Sequence, residues 1–288
     1  MESSAGRLHV ATNVLDFPRF ERPTTVNQAD NGGAVRSLAD IRPAAQHLAS
    51  KVAQHGLRIM VWHDLASLEQ PVDAEGNLLG TEVFGWSEAE LVPWQNVDRA
   101  MRSPLLRVAR VASEPLWIGP DGIHSRSANR LLDQIDLLDL EAFPNPASAI
   151  VIPVHMPLGQ IGAAILTPVD PSQHDLSANF AANVRALATT VWQFVTGYVS
   201  VCRDDRYLPT EGLLTTREIE CLSWVAHGKT DYEISIILGC SHAGVRYHVT
   251  RACAKLGAVN RAQSVFRAAQ LGYLGVPLQP RAHGQRAN

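Results

Sequence analysis

The sequence predicts an α+β fold: an antiparallel sheet flanked by helices in an α/β/α sandwich, joined to a four-helix module with helix-turn-helix geometry. Three observations predict it. Strand and helix patterns are interleaved, yet the clearest strand pair is a hairpin and no βαβ repeat occurs. A 28-residue apolar periodicity from Asp175 to Cys202 marks one long helix. Beyond it lie four short periodic segments, each opened by a capping residue and most of them closed by glycine.

Residues 1–36 are polar and turn-rich, with Arg22-Pro23-Thr24-Thr25 and Asn31-Gly32-Gly33, and read as a loose arm. From Leu38 to His55, Ile41, Ala45, Leu48 and Val52 share one helical side. Leu57–Trp62 reads as a strand, Asp73-Ala74-Glu75-Gly76-Asn77 as a turn, and Leu79, Thr81 and Val83 as a second strand. Helices are expected around Glu88–Asn96 and Leu105–Val111, a short strand at Leu116–Ile118, and a helix from Ser127 to Leu140. Ala149–His155 and Gln160–Thr167, both rich in Ile, Val and Ala, flank Pro157-Leu158-Gly159 as the hairpin. The expected domains are therefore the arm at 1–36, a body at 37–202, a linker at 203–212, a helical module at 213–275 and a disordered tail at 276–288.

Composition excludes several classes. The chain is 46% hydrophobic and 18% charged, which suits a globular protein. Residues 1–211 hold 16 Lys and Arg against 24 Asp and Glu, a balance of −8, whereas 212–275 hold 7 against 4, or +3. An acidic body joined to a basic module points to nucleic acid as a partner of the module. The longest uncharged apolar stretch, Ala186–Cys202, is broken by polar residues and is too short for a membrane span. With no secretory leader pattern, a cytoplasmic location is expected. Cys202, Cys221, Cys240 and Cys253 form no metal-ligand spacing and read as small apolar fillers. His63-Asp64, His124 and Ser125 invite a hydrolase reading, but without a GxSxG elbow no catalytic set is assigned, and neither a metal nor a cofactor is expected.

In the module, Thr215 with Glu218 and Thr230 with Glu233 are capping boxes for the first two helices. Ser241 caps a third helix, His242–Lys255, and Asn260 a fourth. In the third helix Val245, Val249, Ala252 and Leu256 must pack inward, which leaves Ala243, Arg246, Tyr247, Thr250 and Arg251 on the opposite arc with Ser241 and His242 at its start. A helix of this width fits the major groove, where arginine reads guanine bidentately. Lys229, Thr230 and the helix N-termini are placed to hold phosphates, with His248 and Arg261 holding backbone or orienting the helix. The competing explanation is a helical docking domain with a solvated arginine face.

Leu214-Thr215-Thr216-Arg217-Glu218, Ala226-His227-Gly228-Lys229-Thr230, Glu233-Ile234, Leu238-Gly239-Cys240-Ser241, Val245, His248, Lys255-Leu256-Gly257 and Asn260-Arg261-Ala262-Gln263 together resemble the LuxR-type helix-turn-helix over about 60 residues. One departure is Gly244, where that family usually has Thr; glycine costs a helix roughly 1 kcal/mol. Upstream, Trp86, Trp94, Ser103-Pro104, Trp117 and Ile152-Pro153-Val154 resemble, in order and spacing, the autoinducer-binding domain of the same family. The resemblance implies a ligand-sensing, homodimeric transcriptional activator that binds a dyad-symmetric DNA operator and acts with RNA polymerase. It also implies a ligand pocket including Trp62, Trp86, Trp94, Ser103, Pro104, Trp117 and Ala149. Each of those indoles equally suits a plain apolar core. The family's Asp, which accepts the amide hydrogen of an acyl-homoserine lactone, falls on Ser103, its first Trp on Glu90 and its Gly before the hairpin on Ala149. These departures imply a small, mostly apolar effector other than a standard lactone. A lactone receptor with remodelled contacts and a ligand-independent regulator are the alternatives.

Overall fold

The computed structural model describes residues 33–137, 140, 148–203 and 213–275. The sheet contains β1 (Leu57–Trp62), β2 (Leu116–Gly119), β3 (Gly122–His124), β4 (Ala149–His155) and β5 (Ile161–Pro168), in the order β1-β5-β4-β2-β3 with every pairing antiparallel. Nearly every residue of β4 and β5 is buried whichever face it points to, so both faces must be covered.

Register and close contacts tell the faces apart. A Cβ on Gly162 would lie 2.7 Å from Val195 in α6 (Ser177–Cys202), so Gly162 and its pairing partner Val154 face that helix. α1 (Ile41–Ala53) lies against β1 and α6, burying Ile41, Ala45, Leu48 and Val52 as the periodicity requires. One residue along, Trp62 pairs with Ala163 and points to the other face. There α3 (Glu88–Gln95), α4 (Val97–Arg102) and α5 (Pro104–Val111) follow one another, and His155 Nε2 lies 2.8 Å from the carbonyl of Ala112, just beyond α5. The body is thus the α/β/α sandwich expected from the sequence.

Two local readings are corrected and two elements are added. Leu79–Glu82 is a short helix, α2, not a strand: Val72 and Leu78 make a single antiparallel bridge, after which Val83 and Phe84 both donate to the Leu79 carbonyl. The expected helix at 127–140 is reduced to a 3-10 turn at Leu132–Gln134. Asn129 satisfies Leu131 N–H with its own Oδ1 and reaches the Val111 carbonyl at 2.9 Å, an alternative to helical hydrogen bonding that asparagine favours. Residues 138 and 139 lie outside the described residues. Finally, α4 is an unforeseen helix, opened by the Asn96 side chain accepting from Arg99 N–H, and β3 an unforeseen strand. Of the arm, Val35 is buried, its carbonyl 2.9 Å from where a Gly197 Cβ would sit; residues 1–32, 204–212 and 276–288 lie outside the described residues.

The Asp73–Asn77 turn forms as read. Asp73 accepts from the backbone N–H groups of Glu75 and Asn77 and pairs with Arg42 at 2.7 Å. Burial pushes its carboxyl up, but the Asn77 N–H groups and Arg42 outweigh that and hold it at about 2. Since the folded value lies below the unfolded one, this stabilisation is present above the ordinary carboxylate range and is lost as pH falls towards 2. We expect Asp73→Asn to lower the melting temperature at pH 7 and to make its fall between about pH 4 and pH 2 shallower. An unchanged acid limb would remove Asp73 from that transition.

Candidate DNA-reading helix and buried aromatic layer

The carboxy-terminal module contains α7 (Thr216–Ala226), α8 (Asp231–Leu238), α9 (His242–Lys255) and α10 (Arg261–Gln270). All four predicted caps form: Thr215, Thr230, Ser241 and Asn260 accept from Glu218, Glu233, Gly244 and Gln263 N–H. Gly239 takes φ +61° at the turn between α8 and α9, a conformation that favours glycine. A Cβ on Gly244 would lie 3.2 Å from the Ser241 hydroxyl, so glycine leaves room for that cap.

α9 divides as read. Val245, Val249, Ala252 and Leu256 are buried, while Ser241, His242, Ala243, Arg246, Tyr247, Thr250 and Arg251 are exposed. Cys221, Cys240 and Cys253 pack with Ile234, Val245 and Val249, as fillers should, and burial pushes the Cys221 thiol up to about 11, whereas Cys202, at the end of α6, is exposed and fills no core.

The residues expected to hold phosphates are partly committed elsewhere. Arg261 donates to Asp231 Oδ1 and to the Lys229 carbonyl, both at 2.6 Å, so it braces the start of α8 from α10. The Thr230 hydroxyl donates to Glu233 at 2.8 Å, and Lys229 lies 3.8 Å from the same carboxylate. His248 is half-buried, its ring 5.5 Å from that of Tyr247. Arg261 therefore ties α10 to the start of α8, and the arc of α9 that carries Arg246, Tyr247, Thr250 and Arg251 is left exposed.

Two supports escaped the sequence reading. Glu218 is 3% exposed and accepts from Lys255 at 2.8 Å, joining α7 to α9. Arg267 Nη1 donates to the Leu256 and Gly257 carbonyls at 2.6 and 2.7 Å, capping the end of α9. Residues 37 and about 10 positions apart carry no local signature of pairing, although a cation near a helix C-terminus is a known device. Arg267→Ala should cost about 1.5–3 kcal/mol, a hydrogen bond to a charged donor, read as a loss of thermal stability of the module.

In the body, six of the seven residues expected to line a pocket lie in the layer between the sheet and α3–α5. The Trp62 and Trp94 rings are 5.0 Å apart, and Trp86 donates to the Ile59 carbonyl at 2.6 Å beneath the Arg58 guanidinium, 3.9 Å from its ring centre. Ser103 and Pro104, both buried, open α5, and Ala149 points to the same face as Trp62 by register. Trp117 is the exception: one residue out of step with Leu116 and Ile118, it lies on the α6 face, stacked on His124 at 3.9 Å. Trp117 therefore cannot share a pocket with Trp62, and a one-residue change of parity on a short strand is what spacing alone could not resolve.

The same layer holds polar atoms without a partner among the described residues: Trp62 Nε1, Ser103 Oγ, Thr167 Oγ1 and Arg58 Nε. Arg58 and Thr167 face each other across β1 and β5. Buried polar groups are almost always satisfied, so several together in one layer is a departure that calls for a reason. Glu90 accepts from Arg58 at 2.8 Å, and that guanidinium, followed by the Ser87 N–H, holds its carboxyl at about 2. Two shallow grooves, of about 260 and 250 Å³, lie elsewhere, around Glu114–Asn129 and between Arg126 and the Phe180–Ala188 face of α6.

An α/β/α body with a buried aromatic layer is thus followed by a capped helix-turn-helix whose third helix exposes a basic arc. Residues 212–268, nearly the whole of this module, match the model of the bacterial regulatory proteins of the luxR family. The chain is 31% identical to the transcriptional activator VanR of Vibrio anguillarum over 123 residues, 43% of this chain and 50% of that one. It is 27% identical to AhyR of Aeromonas hydrophila over 172 residues, 59% and 64% of the two chains. The chain thus spans one half to under two thirds of these curated relatives, which are named as transcriptional activators. A solved structure of Escherichia coli SdiA aligns over 80% of this chain and 91% of that one at 19% identity, with a TM-score of 0.40.

Proposed function

We propose that this chain is a ligand-responsive, DNA-binding transcriptional activator whose effector is a small, mostly apolar molecule other than a standard acyl-homoserine lactone. The observation that carries DNA binding is the two-faced α9, which buries Val245, Val249 and Ala252 while exposing Arg246, Tyr247, Thr250 and Arg251. Ser241, His242 and Ala243 sit at the groove-facing start of that helix, and Lys229 and Thr230 lie near the backbone. Two such modules in a homodimer meet a dyad-symmetric operator, and the activator works through RNA polymerase. Exposed Trp192 on α6 supports a dimer along that helix.

The effector reading rests on the aromatic layer. Trp62, Ser103 and Thr167 hold polar atoms without partners among the described residues inside an otherwise apolar layer, which suits an apolar ligand with one or two polar handles. Ser103 offers a hydroxyl where a lactone amide meets a carboxylate, and the Arg58–Glu90 ion pair stands where the family has an indole. A lactone receptor with remodelled contacts is the second reading, favoured by Trp86 and Trp94 in the same layer.

Arg251→Ala is expected to weaken operator binding at fixed salt by about 1–3 kcal/mol and to relax the preference at one base pair, with the melting curve unchanged. Unchanged affinity takes Arg251 off the reading face. Mass spectrometry of organic extracts of the purified protein, with thermal shifts against lactones, tests the effector. A non-lactone molecule supports the proposal, a lactone-induced rise in melting temperature supports the second reading, and an empty, stable dimer favours a ligand-independent regulator.

A further inference from the structure

The described residues from 33 to 275 belong to one compact unit, and within it α10 lies against the β4–β5 turn. Gln270, the last residue of α10, donates from Nε2 to the Leu158 carbonyl at 2.9 Å. Leu158 is held at φ +66°, a left-handed conformation that a branched side chain rarely adopts, and Gly159 follows at φ +74°. The same turn reaches the aromatic layer. Gln160 Nε2 donates to the carbonyl of His63, the residue after Trp62, at 3.4 Å, and Gln160 Oε1 accepts from Arg203, just beyond α6, at 2.6 Å.

We propose that the turn at 157–160 is a latch that positions the helix-turn-helix on the body, with Gln270 and Gln160 as its positioning residues. Gln270 attaches α10 to the turn, and Gln160 ties the turn both to the strand end beside Trp62 and to the helix from which the chain leaves the body. A shift at the end of β1 therefore reaches the module through two side chains. The latch leaves the reading arc open, since Arg246, Tyr247, Thr250 and Arg251 stay exposed with α10 docked. It sets where the reading helix stands and does not cover it. In a dimer that placement fixes the distance between two reading helices, which half-site spacing demands.

The inference does not depend on what the layer binds or on any operator. Its test uses the full chain without DNA or effector, comparing wild type with Gln270→Ala, Gln160→Ala and Leu158→Gly by small-angle scattering and backbone amide exchange. Gln270→Ala is expected to raise the radius of gyration and to speed exchange several-fold at residues 156–160 and along the docked side of α10. The melting of the body should stay at its wild-type value. Gln160→Ala is expected to speed exchange in α10 as well, although the hydrogen bonds of its side chain go to His63 and Arg203 and not to that helix. Leu158→Gly keeps the backbone acceptor and is expected to keep wild-type scattering, which separates the latch from a general loosening of the turn. Wild-type scattering and exchange in Gln270→Ala would overturn the latch. Loosening confined to the body in Gln160→Ala would remove Gln160 from it, and loss of docking in Leu158→Gly would show that side-chain packing, not the Gln270 hydrogen bond, holds the module.

Discussion

Lys255→Met should destabilise the carboxy-terminal module by about 3–5 kcal/mol, enough to leave most of the reading helix unformed at physiological temperature. Lys255 is the ionic partner of Glu218, whose side chain is only 4% exposed, and it also donates to the Leu213 carbonyl at 3.2 Å. Burial pushes the Glu218 carboxyl up, and the bonds from Lys255 and Thr215 more than reverse this, so its folded value lies below the ordinary one. Removing Lys255 leaves a buried carboxylate whose remaining donors come from Thr215 alone. The sign with pH follows. A carboxyl with a lowered folded value stabilises above its unfolded pKa and loses that contribution as pH falls. In the variant the carboxyl is pushed up, so Lys255→Met should become relatively less unstable on acidification, as Glu218 takes a proton and stops being a buried charge. Replacing both partners, Glu218→Leu with Lys255→Met, should recover much of the loss. Denaturant midpoints of the two single variants and the double variant close the cycle. A double variant as unstable as the single one would mean that packing, not the stranded charge, is the cause.

Trp62→Ala should cost the body about 3–5 kcal/mol and also abolish effector binding. Trp62 has no exposed surface, lies against Trp94 at 5.0 Å and closes β1 opposite Ala163. Truncation to Ala opens a cavity in the centre of the layer, and the alanine across the strand cannot fill it. Trp62→Phe separates packing from hydrogen bonding. It keeps most of the aromatic volume and removes only the indole N–H, which has no partner among the described residues. If that N–H is a polar handle for the effector, Trp62→Phe stays folded, with a modest loss of melting temperature, and no longer shows ligand-induced stabilisation. Full ligand response in Trp62→Phe would take the N–H out of recognition.

The module was readable almost residue by residue because its instructions are local. Each cap and the N–H that donates to it are three residues apart, each terminating glycine lies within two residues of its helix end, and the inward face of α9 repeats at three and four. The hairpin at 149–167 was readable for the same reason: its turn and both apolar arms are contiguous. What failed was decided by competition or by distance. Leu79, Thr81 and Val83 alternate as a strand would, but with no neighbouring strand to take their backbone groups they curl into α2. Ser127–Leu140 has helical spacing, and Asn129 diverts its first turn. Six of the seven residues named for a pocket share the aromatic layer, whereas Trp117 lies on the other face of the sheet, since its position depends on a register with β4 that no local pattern contains. Glu218–Lys255 and Arg58–Glu90 are long-range pairs, legible only once the helices are in place.

The strand order also sets a timetable for synthesis. β1 is made first and, among the described residues, pairs with β5 alone, so its hydrogen-bonding groups wait for about one hundred residues of chain before that partner emerges. β2 likewise waits for β4. The two central strands arrive together as a local hairpin, and only then can the earlier strands dock on either side of it, a non-local closure that is intrinsically slow. α6 follows at once and covers one face. Until that moment the nascent chain presents the apolar edge of Leu57–Trp62 to its neighbours, the kind of surface from which aggregation starts. The helical module, whose contacts span short sequence distances, has no such delay. A cell making this protein quickly would thus accumulate chains with a finished carboxy-terminal module and an unfinished body, and any small molecule that enters the aromatic layer during closure would act on yield before it acts on regulation.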